Sequence, residues 1–238
     1  MDIKSYGRLF LIPVTLGEVN PLEVLPLSVR KVVEMVDHYI VENEKTARRF
    51  IKSINPGKSQ PSLHFSSINK FTQVAEIPGF LDPCLEGKDM GLMSEAGVPG
   101  IADPGAEIVG IAHQKNIRVQ PLVGPSSILM AMMSSGLNGQ NFAFNGYLPI
   151  DKAGRRSKIR ELEAHSRQTG QSQAFIETPY RNNKLLDELV STLNSGTQLC
   201  VACDISLPSE FIKTLTVSQW KMIREDFHKR PAIFIIQG

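Results

Sequence analysis

A long loop is the segment whose composition most strongly indicates ligand binding. It reads Ser94-Glu-Ala-Gly-Val-Pro-Gly-Ile-Ala-Asp-Pro-Gly105 and lies between a strand-like and a helix-like pattern. Glycine permits positive φ and close backbone approach, and proline fixes the path of the chain, so the loop can present backbone amides and carbonyls to a ligand at little ordering cost. Alternatively, it is a connector in which Asp103 caps the next helix and Pro104 is its first residue. A cap leaves the preceding residues unexplained, which favours the ligand loop.

The sequence lacks the motifs that would indicate a dinucleotide or a nucleoside polyphosphate as the ligand. The chain has neither G-x-G-x-x-G nor G-x-x-x-x-G-K-[ST]. A second polar segment, Gly124-Pro-Ser-Ser127, opens a predicted helix. The hydroxyls of Ser126 and Ser127 can cap that helix or contact a ligand, and both interpretations stay open.

The elements that would position these segments alternate between strands and helices in the first half of the chain. Strands are predicted at Leu9–Val14, Tyr39–Val41, Leu63–Phe65, Met90–Met93 and Ile117–Leu122. Helices are predicted at Val24–Val36, Glu44–Lys52, Phe71–Gly87 (broken at Pro78) and Ala106–Lys115. Such alternation predicts a mostly parallel sheet, with ligands at the carboxyl ends of its strands. The loops after Val14, Met93 and Val123 should converge there.

The second half predicts a mixed sheet, because no long helix separates its last two strands. Strands are predicted at Asn141–Tyr147, Gln173–Glu177, Leu199–Cys203, Ile212–Val217 and Ala232–Ile236. Helices are predicted at Ser126–Ser135, Ala153–Gln168 and Asn182–Leu193. The overall expectation is an α/β protein with one domain at residues 1–120 and a second at residues 121–238.

The composition excludes several classes of protein. With 238 residues, 42% hydrophobic and 21% charged, the chain is not globally disordered. A net charge of +2 argues against a histone-like polycation, so nucleic-acid contacts would need local clusters. Cys200 and Cys203 would lie on opposite faces of a strand, and no metal site is predicted. No signal peptide and no membrane span is apparent, which predicts a cytoplasmic protein without a membrane partner.

Five motifs follow one another along the chain. They are Glu95-Ala-Gly-Val-Pro with Asp103-Pro-Gly, then Val123-Gly-Pro-Ser-Ser, Ser135-Gly-Leu, Phe144-Asn-Gly-Tyr-Leu-Pro149 and Phe175-Ile-Glu-Thr-Pro-Tyr-Arg181. In type and order they resemble the tetrapyrrole-methylase-like (class III) superfamily of S-adenosylmethionine (SAM) methyltransferases. Within it they are most similar to the bacterial small-subunit rRNA cytidine 2′-O-methyltransferase family, whose pattern is D-A-G-T-P-x-I-S-D-P-G, P-G-P-S-A, S-G-L, G-F-L-P and Y-E-A-P-H-R.

The resemblance implies two α/β domains with SAM in the cleft between them, in a protein that is usually a homodimer. It also implies a set of cofactor contacts at the positions that match the motifs. These are Pro13, Gly97, Pro99, Ile101, Ser126, Ser127, Pro179, Tyr180 and Ala232.

The resemblance further implies methyl transfer to a ribose hydroxyl of rRNA. Such a hydroxyl is weakly acidic and benefits from a nearby base. Glu42 is the first candidate and Asp103 the second, although a carboxylate at the start of a helix can also serve only the helix dipole. Candidate RNA contacts are Arg155, Arg156 and Lys158 in a basic helix, with Lys45 as a further one. A smaller basic cluster contains Arg48, Arg49 and Lys52, and both clusters could instead be solvated helix faces.

The chain departs from the family pattern where the substrate would bind. The first loop reads Pro13-Val-Thr-Leu-Gly17 in place of T-P-I-G-N, and Glu42-Asn-Glu-Lys45 replaces E-D-T-R. Lysine lacks the planar fork with which arginine binds phosphate. Two alternatives therefore remain: methylation of a tetrapyrrole-like or other non-RNA acceptor, and a SAM-binding module that has lost catalysis.

Overall fold

The computed structural model describes residues 6–69, 72–73 and 75–238. The chain divides into two compact units, unit 1 ending at Ser126 and unit 2 running over Ser127–Gly238. Each unit has its own five-stranded sheet. The boundary predicted from the sequence, between residues 120 and 121, falls at the end of the last strand of unit 1. None of the helices in the described ranges is long and apolar enough to cross a membrane.

Unit 1 is built on a parallel sheet with strand order β3-β2-β4-β1-β5. Its strands are β1 (Arg8–Leu11), β2 (His38–Val41), β3 (His64–Ser67), β4 (Met90–Met93) and β5 (Arg118–Pro121). Its helices are α1 (Pro21–Val24), α2 (Leu27–Met35), α3 (Glu44–Ile54), α4 (Asp82–Leu85) and α5 (Ala106–Gln114), with a 3-10 helix at Ile77–Leu81. Neighbouring residues such as Leu9 and Phe10 belong to separate core clusters, because successive strand side chains point to opposite faces and both faces are covered.

Unit 2 is built on a mixed sheet with strand order β6-β7-β10-β8-β9, in which β6 and β7 are parallel and the other pairs antiparallel. Its strands are β6 (Phe142–Tyr147), β7 (Ser172–Ile176), β8 (Gln198–Cys203), β9 (Phe211–Thr216) and β10 (Ala232–Gln237). Its helices are α6 (Ser127–Ser135), α7 (Lys152–Thr169), α8 (Asn182–Thr192) and α9 (Val217–Trp220), with a 3-10 helix at Pro179–Arg181. α7 begins at an Asp151 cap and ends at Gly170, which adopts the left-handed conformation that glycine favours.

The predicted α/β class, with one parallel and one mixed sheet, is confirmed. One helix was predicted too long. Val24–Val36 is divided into α1 and α2 because Pro26 and the preceding Leu25 are both extended. The single long helix predicted over Phe71–Gly87 is also wrong: the segment contains two short helices, the 3-10 helix Ile77–Leu81 and α4, while Thr72 and Gln73 are not helical. Phe71 lies outside the described residues.

A histidine pair in unit 1 makes its stability sensitive to pH. The rings of His38 on β2 and His64 on β3 are stacked, with centroids 4.7 Å apart. Burial lowers the pKa of His38, and the charges of His64 and Lys88 lower it further, while Asp37 and Glu86 oppose them. The unfolded chain, with a histidine pKa of about 6.5, therefore binds this proton more readily than the folded chain.

We expect the stabilisation associated with neutral His38 to be complete above that pH and to decrease as the pH falls through it. In the wild type, the urea concentration at the unfolding midpoint should fall between pH 7 and pH 5, as measured by circular dichroism. His38→Asn should make this fall smaller. His113→Asn, which removes an exposed imidazole from α5, is the control and should follow the wild type. An unchanged pH slope in His38→Asn would contradict the assignment.

Candidate active site

The candidate active site of unit 1 lies at the carboxyl edge of the parallel sheet. β2, β4 and β1 are adjacent, so their carboxyl ends lie side by side. Glu42 follows β2, Ser94 and Glu95 follow β4, and Pro13 follows β1. The order of these strands reverses here relative to the chain, the position at which parallel α/β sheets commonly bind ligands. The topology therefore brings together segments that are far apart in sequence.

Three carboxylates form a connected cluster at this edge. The backbone N–H of Glu95 donates to Oε1 of Glu42 at 3.2 Å. The Oγ1 hydroxyl of Thr46, in the first turn of α3, donates to Oε1 of Glu95 at 2.6 Å. The Oγ hydroxyl of Ser94 donates to the carbonyl of Ala96 at 3.2 Å and lies near enough to Asp103 to lower the pKa of that carboxyl group. Both predicted catalytic residues, Glu42 and Asp103, are thus close enough for the charge of Asp103 to act on Glu42.

The cluster makes its carboxylates more basic than free ones. Burial raises the pKa of Glu42, the N–H of Glu95 opposes this, and the negative charges of Asp103 and Glu95 raise it again. The pKa of Asp103 is also raised, first by burial and then by the charge of Glu95, against the hydrogen bond from Ser94. A carboxylate with a raised pKa is a better proton acceptor, so this cluster can act as a general base.

The glycine-rich loop is held in a conformation that most residues adopt only under strain. Gly97 has φ +71°, and Val14 and Gly97 form an isolated antiparallel bridge in which the N–H of Val14 donates to the carbonyl of Gly97 at 2.8 Å. Ala102 has φ +61° although it carries a Cβ. Strain of this kind persists where the surrounding structure imposes it, often at ligand sites. The capping alternative for Asp103 is wrong, since α5 begins at Ala106 and Gly105 is its N-cap.

Gly97 provides a direct test of the cofactor loop. A Cβ there would lie 3.2 Å from Cδ2 of Leu16 and 3.3 Å from the carbonyl oxygen of Pro125, at a φ that L-residues avoid. Because the left-handed conformation costs ~1–2 kcal/mol, Gly97→Val should displace the loop and weaken SAM binding by about tenfold or more in isothermal titration. Gly110→Ala, on α5 where a Cβ meets nothing within 4 Å, should bind as the wild type does. If Gly97→Val binds SAM with wild-type affinity, the loop is not part of the cofactor site.

The other predicted cofactor residues of unit 1 border this loop. Pro13 and Pro99 are buried, and Ile101 is a large apolar side chain left 54% exposed. Gly124 packs so closely on Pro13 that a Cβ would lie 2.2 Å from its ring. The segment that leads to Ser126 is thereby fixed against the first loop, and Ser127 begins α6 in unit 2.

In unit 2, the remaining predicted cofactor residues share one edge of the mixed sheet. Pro179 and Tyr180 follow β7, and Ala232 begins the antiparallel neighbour β10. The N–H of Lys229 donates to the carbonyl of Pro179 at 3.0 Å, and the rings of Tyr180 and His228 meet edge to face at 6.0 Å. The two segments therefore support one another beside the sheet.

The residues present fit SAM. Tyr180 is 69% exposed, offering an uncovered ring for contact with the adenosyl group, and the small side chain of Ala232 begins the neighbouring strand β10. Oδ1 of Asn182, directly after this segment, is buried without a hydrogen-bond partner. An unpaired buried acceptor next to an exposed ring is typical of a site completed by a polar ligand.

The predicted RNA contacts differ sharply in their surroundings. Arg155 is 4% exposed, and its guanidinium donates to both carboxylate oxygens of Glu188 at 2.5 and 2.7 Å and to the carbonyl of Ile150 at 2.7 Å. Its assignment as an RNA contact is therefore wrong, since its donors are used inside the protein. Arg156 is half-buried with an unpaired Nε, and Lys158 pairs with Glu161 at 2.6 Å.

Lys45 is exposed at the start of α3, where Asn43 caps the helix by accepting from its N–H at 2.9 Å. Glu95 is a site residue that the sequence interpretation did not select. Its position directly after β4, inside the glycine-rich loop, was the available signal. No group of three or more metal-ligating side chains occurs among the residues that the structure describes.

The chain is similar in sequence to several known enzymes. No protein-family model matches the chain. It is 25% identical over 233 residues to ribosomal RNA small subunit methyltransferase I of Vibrio cholerae, covering 97% of this chain and 77% of the relative. The enzyme of the same name from Escherichia coli O157:H7 is 26% identical, with 99% and 79% covered. That from Streptococcus pyogenes serotype M6 is 29% identical, with 80% and 62% covered.

Among solved structures, the fold is similar to that of the methyltransferase CobJ, with a TM-score of 0.63 and 13% identity over 98% of this chain and 94% of the other. Uroporphyrin-III C-methyltransferase from Thermus thermophilus, complexed with S-adenosylhomocysteine, gives a TM-score of 0.57 at 15% identity, with 97% of each chain covered. The resemblance seen in the motifs is thus confirmed: the chain is a homologue of the ribosomal RNA small subunit methyltransferase I enzymes, has the fold of the tetrapyrrole methyltransferases, and is a SAM-dependent methyltransferase.

Proposed function

We propose that this methyltransferase methylates a ribose 2′-hydroxyl of small-subunit rRNA. The observation that carries the proposal is the similarity over nearly the whole chain to enzymes named for that rRNA. The carboxylate cluster supports the choice of a hydroxyl acceptor, because a weakly acidic group needs a base and the raised pKa of Glu42 suits that task.

In the proposed reaction, SAM supplies when bound an activated methyl group, so the chain's own residues need only orient the acceptor, exclude water and remove a proton. Glu42 Oε2 accepts the proton of the 2′-hydroxyl, while Oε1 stays fixed by the N–H of Glu95. Asp103 keeps the local potential negative and raises the basicity of Glu42. Gly97, Pro99 and Ile101 hold the cofactor from unit 1.

The remaining cofactor residues are proposed to be Pro13, Ser126, Ser127, Pro179, Tyr180 and Ala232. For the RNA, Lys45 and Arg156 are proposed as phosphate contacts. Lys158 is also available, because an exposed ion pair such as Lys158–Glu161 is weak and is readily exchanged for phosphate. We further propose that the protein is a cytoplasmic homodimer, a proposal that rests on the resemblance. Sedimentation analysis tests the dimer.

A methylation assay tests the function. Purified protein and methyl-tritiated SAM are incubated with 30S subunits, 50S subunits, total RNA and a uroporphyrinogen-type tetrapyrrole. We expect label in the 16S rRNA of 30S subunits, in a dinucleotide that resists alkali because a 2′-O-methyl group blocks strand cleavage. Label in an alkali-sensitive product would refute the ribose acceptor.

Two other results would favour the alternatives. Label only in the tetrapyrrole would support the function of the structural neighbours. Tight binding of SAM in calorimetry without transfer to any acceptor would support a binding module that has lost catalysis through the changes at Glu42–Lys45.

A further inference from the structure

We infer that a cavity in unit 1 receives the acceptor nucleotide and that Arg49 binds its phosphate. The inference rests on the proposed function and extends it to a specific site. The cavity, called here the α3 cavity, has a volume of about 440 Å³ and lies between α3, the loop Thr15–Val19 and the segment Met93–Glu95. Its size is in the range of small-molecule sites, roughly 300–1,000 Å³.

Arg49 is the guanidinium that α3 leaves available. It is exposed, lines the cavity, and forms no ion pair with any residue in the described ranges. The preceding Arg48 is used differently. It pairs with Glu44 at 2.7 Å, donates to the carbonyl of Gln60, and lies over the ring of Phe65 with its Cζ 4.5 Å from the centroid. A free planar guanidinium at the mouth of a cavity is suited to bidentate contact with phosphate.

The remaining lining has the features of a nucleotide site. Phe50, Leu16 and Met93 provide an aromatic and apolar wall against which a base can pack. The carboxylates of Glu18 and Glu95 also line the cavity and can accept hydrogen bonds from a base amino group or a ribose hydroxyl. The same two negative charges, set against a single arginine, would repel the several carboxylates of a tetrapyrrole precursor.

The α3 cavity is directly connected to the proposed base. Glu95 lines it and donates its backbone N–H to Glu42, while Thr46, also in the lining, donates to the carboxylate of Glu95. Glu42 itself is not part of the lining, so the inference requires the ribose to lie at the Ser94–Glu95 side of the cavity, where one backbone hydrogen bond separates the lining from the carboxylate that must accept its proton. Phosphate binding by Arg49 then determines which nucleotide is presented.

Kinetics with 30S subunits test the role of Arg49. Arg49→Met should raise KM for 30S subunits by about tenfold, the effect of losing a charge-assisted hydrogen bond, and leave kcat and SAM affinity nearly unchanged. The slope of log KM against log salt should also fall by about one, because one phosphate contact is lost. Arg49→Lys, which keeps the charge without the fork, should retain that slope with a smaller rise in KM.

Lys31→Met is the matched control, since it removes an exposed positive charge from α2 outside the cavity. A rise in KM no larger in Arg49→Met than in Lys31→Met, or an unchanged salt slope, would overturn the inference. If the wild type labels no RNA at all, the proposed function fails, and binding to the cavity is then decided by a separate titration.

That titration adds each of the four ribonucleoside monophosphates, and inorganic phosphate, to the isotopically labelled protein and follows amide resonances. Saturable shifts at Thr15–Val19 and Thr46–Phe50 that require Arg49 and exceed those caused by phosphate would support a nucleotide site. Shifts that phosphate alone reproduces, or none at these residues, would overturn it.

Discussion

Glu42→Gln is expected to slow methyl transfer to 30S subunits by about 100-fold or more while leaving SAM affinity unchanged. General-base catalysis contributes roughly 10²–10⁴-fold, and an amide cannot accept the proton. The amide oxygen can still accept the hydrogen bond from the N–H of Glu95, so the geometry of the loop should be kept. Single-turnover rates and calorimetry with SAM separate the two effects.

The pH profile of the same variant shows whether Glu42 acts as a base. The wild-type rate should rise with pH as Glu42 loses its proton and then level off. Burial and the charges of Asp103 and Glu95 raise the pKa of Glu42. The midpoint of this rise in rate should therefore lie at a pH above the usual glutamate pKa of about 4.3. Glu42→Gln should lack this pH-dependent rise in rate.

Glu44→Gln is the matched control, because Glu44 is an exposed neighbour that pairs with Arg48. It should retain both the rate and the pH-dependent rise in rate of the wild type. Full activity in Glu42→Gln would clear Glu42 of a role in proton transfer, and Asp103→Asn would then be the next variant to examine.

Local sequence signals were sufficient for most of the fold because they report on short-range physics. Met90–Met93 is an apolar run bounded by polar and glycine residues, and it forms β4 over those same residues. Helix α3 follows the Asn43 cap that its sequence provides. Where prediction failed, as at Leu25–Pro26, a proline divided a continuous apolar pattern into two short helices.

The site was harder to predict because its contacts join distant segments. Glu42 and Asp103 were selected from motifs, but the hydrogen bonds from Glu95 to Glu42 and from Thr46 to Glu95 span 53 and 49 residues. Strand order decides which loops meet, and no local pattern encodes it. The α3 cavity was missed for the same reason, since three separate segments form its walls.

Arg155 shows how a charge cluster can mislead. The buried residues of α7 include Arg155, Ile159, Leu162 and Ser166, which recur at helical spacing. Position 155 therefore continues an inward-facing stripe, even though an arginine at this position suggests a solvent-exposed side chain. The partner that makes its burial tolerable, Glu188 on α8, lies 33 residues away and could not be identified from α7 alone.

The buried Arg155–Glu188 pair leads to the second large effect, on stability. Both side chains are almost fully buried, at 4% and 7% exposure. Arg155→Met leaves the carboxylate of Glu188 buried without its counter-charge, which should reduce the free energy of unfolding by about 3–5 kcal/mol in urea titrations. Lys158→Met, which breaks an exposed pair on the same helix, should cost less than about 1 kcal/mol.

The double variant Arg155→Met/Glu188→Leu distinguishes a need for pairing from a need for charge. Desolvating two charges offsets much of their attraction, so an apolar replacement of both should recover most of the stability that Arg155→Met loses. Arg155 lowers the pKa of Glu188, so the pair stabilises the wild type above the unfolded glutamate pKa of about 4.3 and this contribution disappears as the pH falls through the lower folded value. A double variant as unstable as Arg155→Met would show instead that the hydrogen bonds of Arg155 to Pro149 and Ile150 dominate.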